Sequence, residues 1–194
     1  MQSIRYFVFF AILTYILPGC NSNTSESKPT NSVEWQTALK SRLSLFGHRN
    51  WILIVDKAFP MQNGSGITVI NSNEKLLPVL TYVLGEVDSS SHVKPIIFQD
   101  KELSFITEAQ SKGVGELRES LQKVFGEQKV LQILHDSVFL KIDEAAKLFN
   151  VLVIKTNETI PYSSVFLQLD CAYWNAEKEK MLRSAMIINE QIPE

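Results

Sequence analysis

Three histidines are the side chains in this sequence best suited to moving protons near neutral pH: His48, His92 and His135. An unperturbed imidazole has a pKa of about 6.5, so both of its forms are available there. His48 follows Gly47, and an apolar run, Trp51 to Val55, separates it from Asp56, with Pro60 just beyond. His135 follows a second short apolar run, Val130 to Leu134, and far downstream Tyr162 and Ser164 lie in a polar turn before Val165. Such a set offers proton donors, proton acceptors and a carboxylate. Each residue also has a plainer reading: His48 as a helix cap, Asp56 as a turn residue, Tyr162 as an edge aromatic, and His135-Asp136 as an N-terminal cap pair. His92, after three serines, reads as a solvated loop residue. The histidines lack the spacing of zinc ligands. Gly113-Val114-Gly115 lacks the third glycine and the strand–turn–helix setting of a dinucleotide loop.

The elements that must position these side chains follow from hydrophobic periodicity. Ser32 to Phe46 has mainly helical spacing, with Gly47 just past its end. Trp51 to Val55 is continuously apolar, as in a strand covered on both faces. Ile67 to Ile70 suggests a short strand after the Asn63-Gly64-Ser65-Gly66 turn. Glu74 to Leu84 reads as a helix that Pro78 bends or begins. Val93 to Phe98 reads as a strand and Thr107 to Phe125 as a broken helix. Val130 to Leu134 reads as a strand and Asp136 to Phe149 as an amphipathic helix. Val151 to Lys155 and Ser164 to Leu169 are the last strands, and Glu177 to Ile192 is a terminal helix. Alternating strands and helices with short connections predict one three-layer α/β domain.

The chain has 194 residues, 45% of them hydrophobic, and a formal net charge of -2. That bounds one domain and gives no basic footprint for nucleic acid. Before the domain, Arg5 and the apolar stretch Tyr6 to Leu17 form a signal-like segment too short to span a bilayer comfortably. It ends in Leu17-Pro18-Gly19-Cys20, which resembles a bacterial lipoprotein processing site. The expected layout is a signal peptide at 1–19, a lipidated Cys20 with a polar tether at 20–32, a domain at 33–173 and a C-terminal helical extension at 174–194. An ordinary cleaved secretory peptide is the alternative. Acylation at Cys20 implies a membrane anchor, and the missing aspartate after Cys20 points to the outer membrane, facing the periplasm. Cys171 is then the remaining cysteine and reads as a small buried packing residue.

Two runs, Leu45 to Pro60 and Val153 to Val165, together resemble the D-ribose pyranase / L-fucose mutarotase (RbsD/FucU) family. The resemblance covers roughly Val33 to Ala172. It implies a three-layer sandwich with a central mixed sheet flanked by helices. It implies a cofactor-independent isomerase acting on a ribose- or fucose-like monosaccharide, and a homo-oligomer with sites at subunit contacts. Opening an aldose ring requires one group to take the anomeric hydroxyl proton while another protonates the ring oxygen. By resemblance the catalytic proton donor falls on His48. Sugar contacts fall on Asp56 and Tyr162, on Ser164 where the family carries asparagine, and on His135 where the family has a basic residue. A hydroxyl reaches less far than an amide. The rival expectation is a non-catalytic sugar-binding or scaffolding lipoprotein on the same fold.

Overall fold

The computed structural model describes residues 31–190. The signal-like segment, Cys20 and the tether to residue 30 lie outside that range. The element order is α1 (Asn31–Leu43), β1 (Trp51–Val55), β2 (Ile67–Asn71), α2 (Leu76–Asp88), β3 (Val93–Asp100), a 3-10 turn (Lys101–Phe105), α3 (Val114–Phe125), β4 (Val130–Ile133), α4 (His135–Ala146), β5 (Val151–Lys155), β6 (Val165–Cys171) and α5 (Ala176–Glu190). The expected broken helix from Thr107 is a turn followed by α3 alone. The Glu108 carboxylate accepts from the Gly113 and Gly115 backbone N–H groups, and Gly113 takes a left-handed φ of 87°, so the chain turns before the helix begins. Pro78 sits in the first turn of α2, where a missing N–H costs nothing.

The six strands form one mixed sheet in the order β2-β5-β1-β6-β3-β4. β1, β2 and β5 are mutually parallel, β3 and β4 are parallel, and β6 runs antiparallel to both β1 and β3. Five strands therefore point one way and β6 the other. Strand alternation divides the buried side chains into two cores. Ile52, Ile54, Leu152, Ile154 and Leu167 face α1, α2 and α3, with Trp35, Leu39, Leu80 and Leu121 filling the space between. Trp51, Leu53, Val55, Val153 and Phe166 face α4 and pack on Val138 and Ile142. This is the three-layer sandwich expected from sequence, with three helices on one face and one on the other. Burial on both faces explains why β1 and β5 read as unbroken apolar runs.

Helix α5 behaves differently. Met181, Leu182 and Met186 stay exposed, as do Tyr173 and Trp174 ahead of them. Among the described residues no helix is long and apolar enough to cross a membrane. Cys171, at the end of β6, is partly exposed rather than buried.

One close approach holds the β2 entrance. A Cβ on Gly66 would lie 2.6 Å from the backbone oxygens of both Ala146 and Phe149, and the Gly66 carbonyl accepts from Val151 N at 2.8 Å. Gly66→Ala in the full chain is expected to cost about 1–3 kcal/mol, the range for forced overpacking, as a lowered urea midpoint. An unchanged midpoint would show that α4 and β5 need not meet the loop this closely.

Candidate functional site

The C-terminal ends of β1, β3, β4 and β5 share one edge of the sheet, the edge where open α/β sheets place their ligands. Asp56 follows β1. Asp100 ends β3. His135 opens α4 directly after β4, and the β5–β6 loop carries Thr159, Pro161 and Tyr162. Because β6 is antiparallel, its beginning lies at this same edge. Asp56, Lys57, Ala58, Phe59, Pro60, His135, Thr159, Pro161 and Tyr162 line a cavity of about 480 Å³ there.

The loops are tied to one another. Lys57 N donates to Glu158 O at 2.7 Å, Lys57 Nζ donates to Asn157 Oδ1 at 3.0 Å, and Lys155 Nζ donates to the Phe59 carbonyl. Thr156 is fully buried and its hydroxyl donates to Val55 O at 2.8 Å. Phe59 stacks on Phe139 of α4 with centroids 5.3 Å apart, which anchors the cavity floor in the α4-side core.

Asp56 is held by its own turn and by β6. Its Oδ1 accepts from Ala58 N at 2.9 Å, and its Oδ2 accepts from the Ser164 hydroxyl at 2.8 Å. The Ser164 oxygen in turn accepts from Asp56 N at 3.1 Å. Ser164 is 0% exposed, so its hydroxyl orients Asp56 from behind and does not line the cavity. The sequence leads to a sugar contact at Ser164; in the structure its short side chain is buried and engaged by Asp56. Tyr162 is 37% exposed and sits at a left-handed φ of 57°, an uncommon conformation for a residue with a Cβ. That turn aims its ring across the cavity, edge-on to His135 at 5.1 Å.

His135 is fixed on three sides. Its Nδ1 lies 2.9 Å from Asp100 Oδ2. Its backbone N–H donates to the Glu102 carboxylate at 3.1 and 3.2 Å. Its ring meets Phe139 edge-on at 4.9 Å. The helix N-terminus is therefore capped by Glu102 from another element, not by a local His135-Asp136 pair. The Asp100 side chain is fully buried, and its Oδ1 has no hydrogen-bond partner. Burial raises the Asp100 carboxyl from 3.8 to about 6; the bond from His135 pulls it down, while the charges of Glu102 and Asp56 push it up.

His48 is placed elsewhere. It lies in the turn before β1, at the opposite edge of the sheet, so the whole of β1 separates it from Asp56. Five strand residues span about 17 Å. His48 is exposed and its side chain makes no hydrogen bond with a described residue, while Asn50 Oδ1 accepts from Gly47 N and shapes the turn. The histidine that caps α1 is His92. Its Nε2 is 3.2 Å from Leu43 O, the last carbonyl of the helix, and 3.0 Å from Phe46 O in the turn that follows. His92 is thus a structural residue and not a solvated loop residue.

One chain therefore brings together Asp56, His135 and Tyr162, with Ser164 behind Asp56, and leaves His48 outside. A family model described as the RbsD / FucU transport protein family matches residues 36–171. The chain belongs to that family. Among solved structures it is similar to Bacillus subtilis RbsD complexed with D-ribose, at 22% identity and a TM-score of 0.47, covering 69% of this chain and 92% of that one. It is also similar to the fucose mutarotase of Streptococcus pneumoniae in complex with L-fucose, at 15% identity and a TM-score of 0.47, covering 75% and 97%. A third is FucU from Bifidobacterium longum, at 18% identity and a TM-score of 0.45, covering 69% and 94%. No curated protein sequence matches the chain.

Asp100 and Glu102 had no place in the sequence reading. The signal for Asp100 was a carboxylate two residues after Phe98, on the same face of a strand. Its partner lies 35 positions later, and only the β3–β4 pairing brings the two together. Among the described residues no group of three His, Cys, Asp or Glu side chains gathers as a metal site.

The raised Asp100 carboxyl sets a pH dependence. A group whose folded pKa exceeds its unfolded value adds stability below the unfolded pKa and loses it as pH rises through the folded one. The wild-type urea midpoint is expected to carry a falling component between about pH 4 and pH 6.5, and Asp100→Asn to remove it. The ceiling on the effect is about 3 kcal/mol. Parallel curves for wild type and variant would show that burial does not disfavour the charge.

Proposed function

We propose that this protein is a monosaccharide mutarotase that interconverts anomers, or pyranose and furanose forms, of a ribose- or fucose-like sugar without a cofactor. The observation that carries the reading is the convergence of Asp56, His135 and Tyr162 on one cavity in a chain of this family. The cavity has the mixed character that a sugar needs. Phe59, Pro60, Pro161 and the Tyr162 ring offer apolar walls for C–H faces. Asp56, Lys57, Thr159, His135 and the Tyr162 hydroxyl offer donors and acceptors for sugar hydroxyls.

His48 acts as the acid in this reading, and it reaches the cavity from a neighbouring copy. Its position at the far edge of β1 supports a head-to-tail contact, His48 edge of one copy against the cavity edge of the next. Exposed apolar side chains support the same contact. Leu45 (84%) and Leu148 (82%) flank the His48 edge, while Met61 (75%), Phe105 (72%) and Leu134 (56%) surround the cavity edge. A heterologous contact of this kind closes into a ring when the rotation allows it. The chain would work as an exported lipoprotein anchored through Cys20, in the outer membrane and facing the periplasm. Such a protein meets its sugar before uptake.

Saturation-transfer NMR on the full chain with a sugar panel including ribose and fucose tests the activity. Exchange between ring forms or anomers is expected to accelerate for at least one sugar. His48→Ala should slow it at least about 100-fold, the scale of a lost general acid. A folded, oligomeric protein that binds sugar without accelerating exchange would instead be a sugar-binding lipoprotein. Mixing dissociated His48→Ala and Asp56→Asn subunits tests the shared site. If the two residues act from different copies, about one site in four regains both. If they act from one copy, no activity returns.

A further inference from the structure

Ring opening moves two protons, one off the anomeric hydroxyl and one onto the ring oxygen, and His48 accounts for one of them. We infer that His135 handles the other and that Asp100 is its positioning residue: the Asp100 carboxylate fixes the Nδ1–H tautomer, and His135 Nε2 takes the anomeric proton. This inference rests on the mutarotase reading and assigns a step within it.

The geometry leaves His135 little choice. The Asp100 carboxylate is acceptor-only when ionised, so at 2.9 Å the Nδ1 atom is the donor. Asp100 is fully buried, and its other oxygen has no partner. Rotating the carboxylate away would therefore strand both of its oxygens in the protein interior, where unmade hydrogen bonds are costly. The Phe139 and Tyr162 rings meet the imidazole at 4.9 and 5.1 Å and limit its tilt, while Glu102 anchors the backbone N–H of the same residue. Nε2 is left without a protein partner among the described residues, on a residue that lines the cavity. Asp100, Glu102, Asp56, Lys57 and Tyr162 are the ionisable groups around it, with Asp136 next on its own helix.

The step balances. The Nε2 lone pair takes the proton of the anomeric O–H, and that oxygen becomes the aldehyde carbonyl. The bond from the anomeric carbon to the ring oxygen breaks, its electron pair goes to the ring oxygen, and His48 of the neighbouring copy gives that oxygen a proton. Closure returns both protons. Asp100 offsets the positive charge that His135 carries in between, as a buried carboxylate does for a catalytic imidazole elsewhere.

Long-range 1H–15N NMR of the full-chain protein reads the tautomer directly. Wild type is expected to show His135 as the Nδ1–H form. In Asp100→Asn the amide can donate to Nδ1 and shift the ring toward Nε2–H. The exchange assay should then show kcat lowered at least about 100-fold with KM within about threefold, for both Asp100→Asn and His135→Gln. Imidazole in solution should restore part of the rate to His135→Ala and none to Asp56→Asn. An Nε2–H tautomer in wild type overturns the positioning role while leaving the mutarotase reading standing. Asp100→Asn or His135→Gln within threefold of wild-type kcat overturns the proton transfer at His135. A wild type that accelerates no sugar overturns that transfer and the mutarotase reading together, while the tautomer still reports on Asp100.

Discussion

Strand β6 runs against both of its neighbours, and the candidate site depends on that reversal. The other five strands deliver their C-terminal ends to one edge, and with them Asp56, Asp100 and His135. A sixth parallel strand would begin at the opposite edge and take Tyr162 and Ser164 with it. Running antiparallel between β1 and β3, β6 starts where those strands stop, so Ser164 meets Asp56 and the Tyr162 ring meets His135. The reversal is stable because β6 is central. Phe166 fills the α4-side core while Val165, Leu167 and Leu169 fill the other, so sliding β6 by one residue would exchange its two faces between unlike cores.

The same reversal bears on Ser164. An asparagine at this place has the reach to enter a cavity, whereas the serine hydroxyl stays within bonding distance of Asp56. It accepts from the Asp56 backbone and donates to the Asp56 side chain, closing a small ring between two strand ends. Both Asp56 oxygens then have a fixed partner, one from Ser164 and one from Ala58 N. A carboxylate held this way loses little freedom when it accepts from a sugar hydroxyl, which is how preorganisation favours binding. The serine at this place therefore fixes the aim of the Asp56 carboxylate.

Much of the fold was legible in the sequence because β1 and β5 are buried on both faces and read as apolar runs. The place of Asp56 at the end of a strand was legible too, since it directly follows β1. The separation of His48 from Asp56 was not legible, for a physical reason. Eight positions from Asp56 look adjacent in sequence, but an extended strand between them puts them on opposite edges. The roles of His92 and Asp100 were hidden because their partners are distant in the chain. His92 meets carbonyls 46 and 49 residues earlier, and Asp100 meets a histidine 35 residues later. Local pattern carries no information about pairs that only strand order creates. The start of α3 was lost for a nearer reason, since side-chain capping of a loop by Glu108 leaves no periodic signature.

Stability alone does not account for Asp100. An apolar side chain at the end of β3 would continue the α4-side core begun by Phe98, and burying a carboxylate with one unpaired oxygen opposes folding. Replacing buried ionic pairs by apolar residues is often neutral or stabilising. The bond to His135 recovers part of the cost, yet the carboxyl still ends well above its ordinary range, so burial outweighs the bond. What the pair secures is orientation. Phe139 and Tyr162 limit the tilt of the His135 ring, but neither can choose which nitrogen carries the proton. Only a hydrogen-bonding partner at Nδ1 makes that choice, and Asp100 is the partner the fold supplies. On the proposed mutarotase reading, the stability given up at Asp100 fixes one proton of His135 so that its other nitrogen is free to move another.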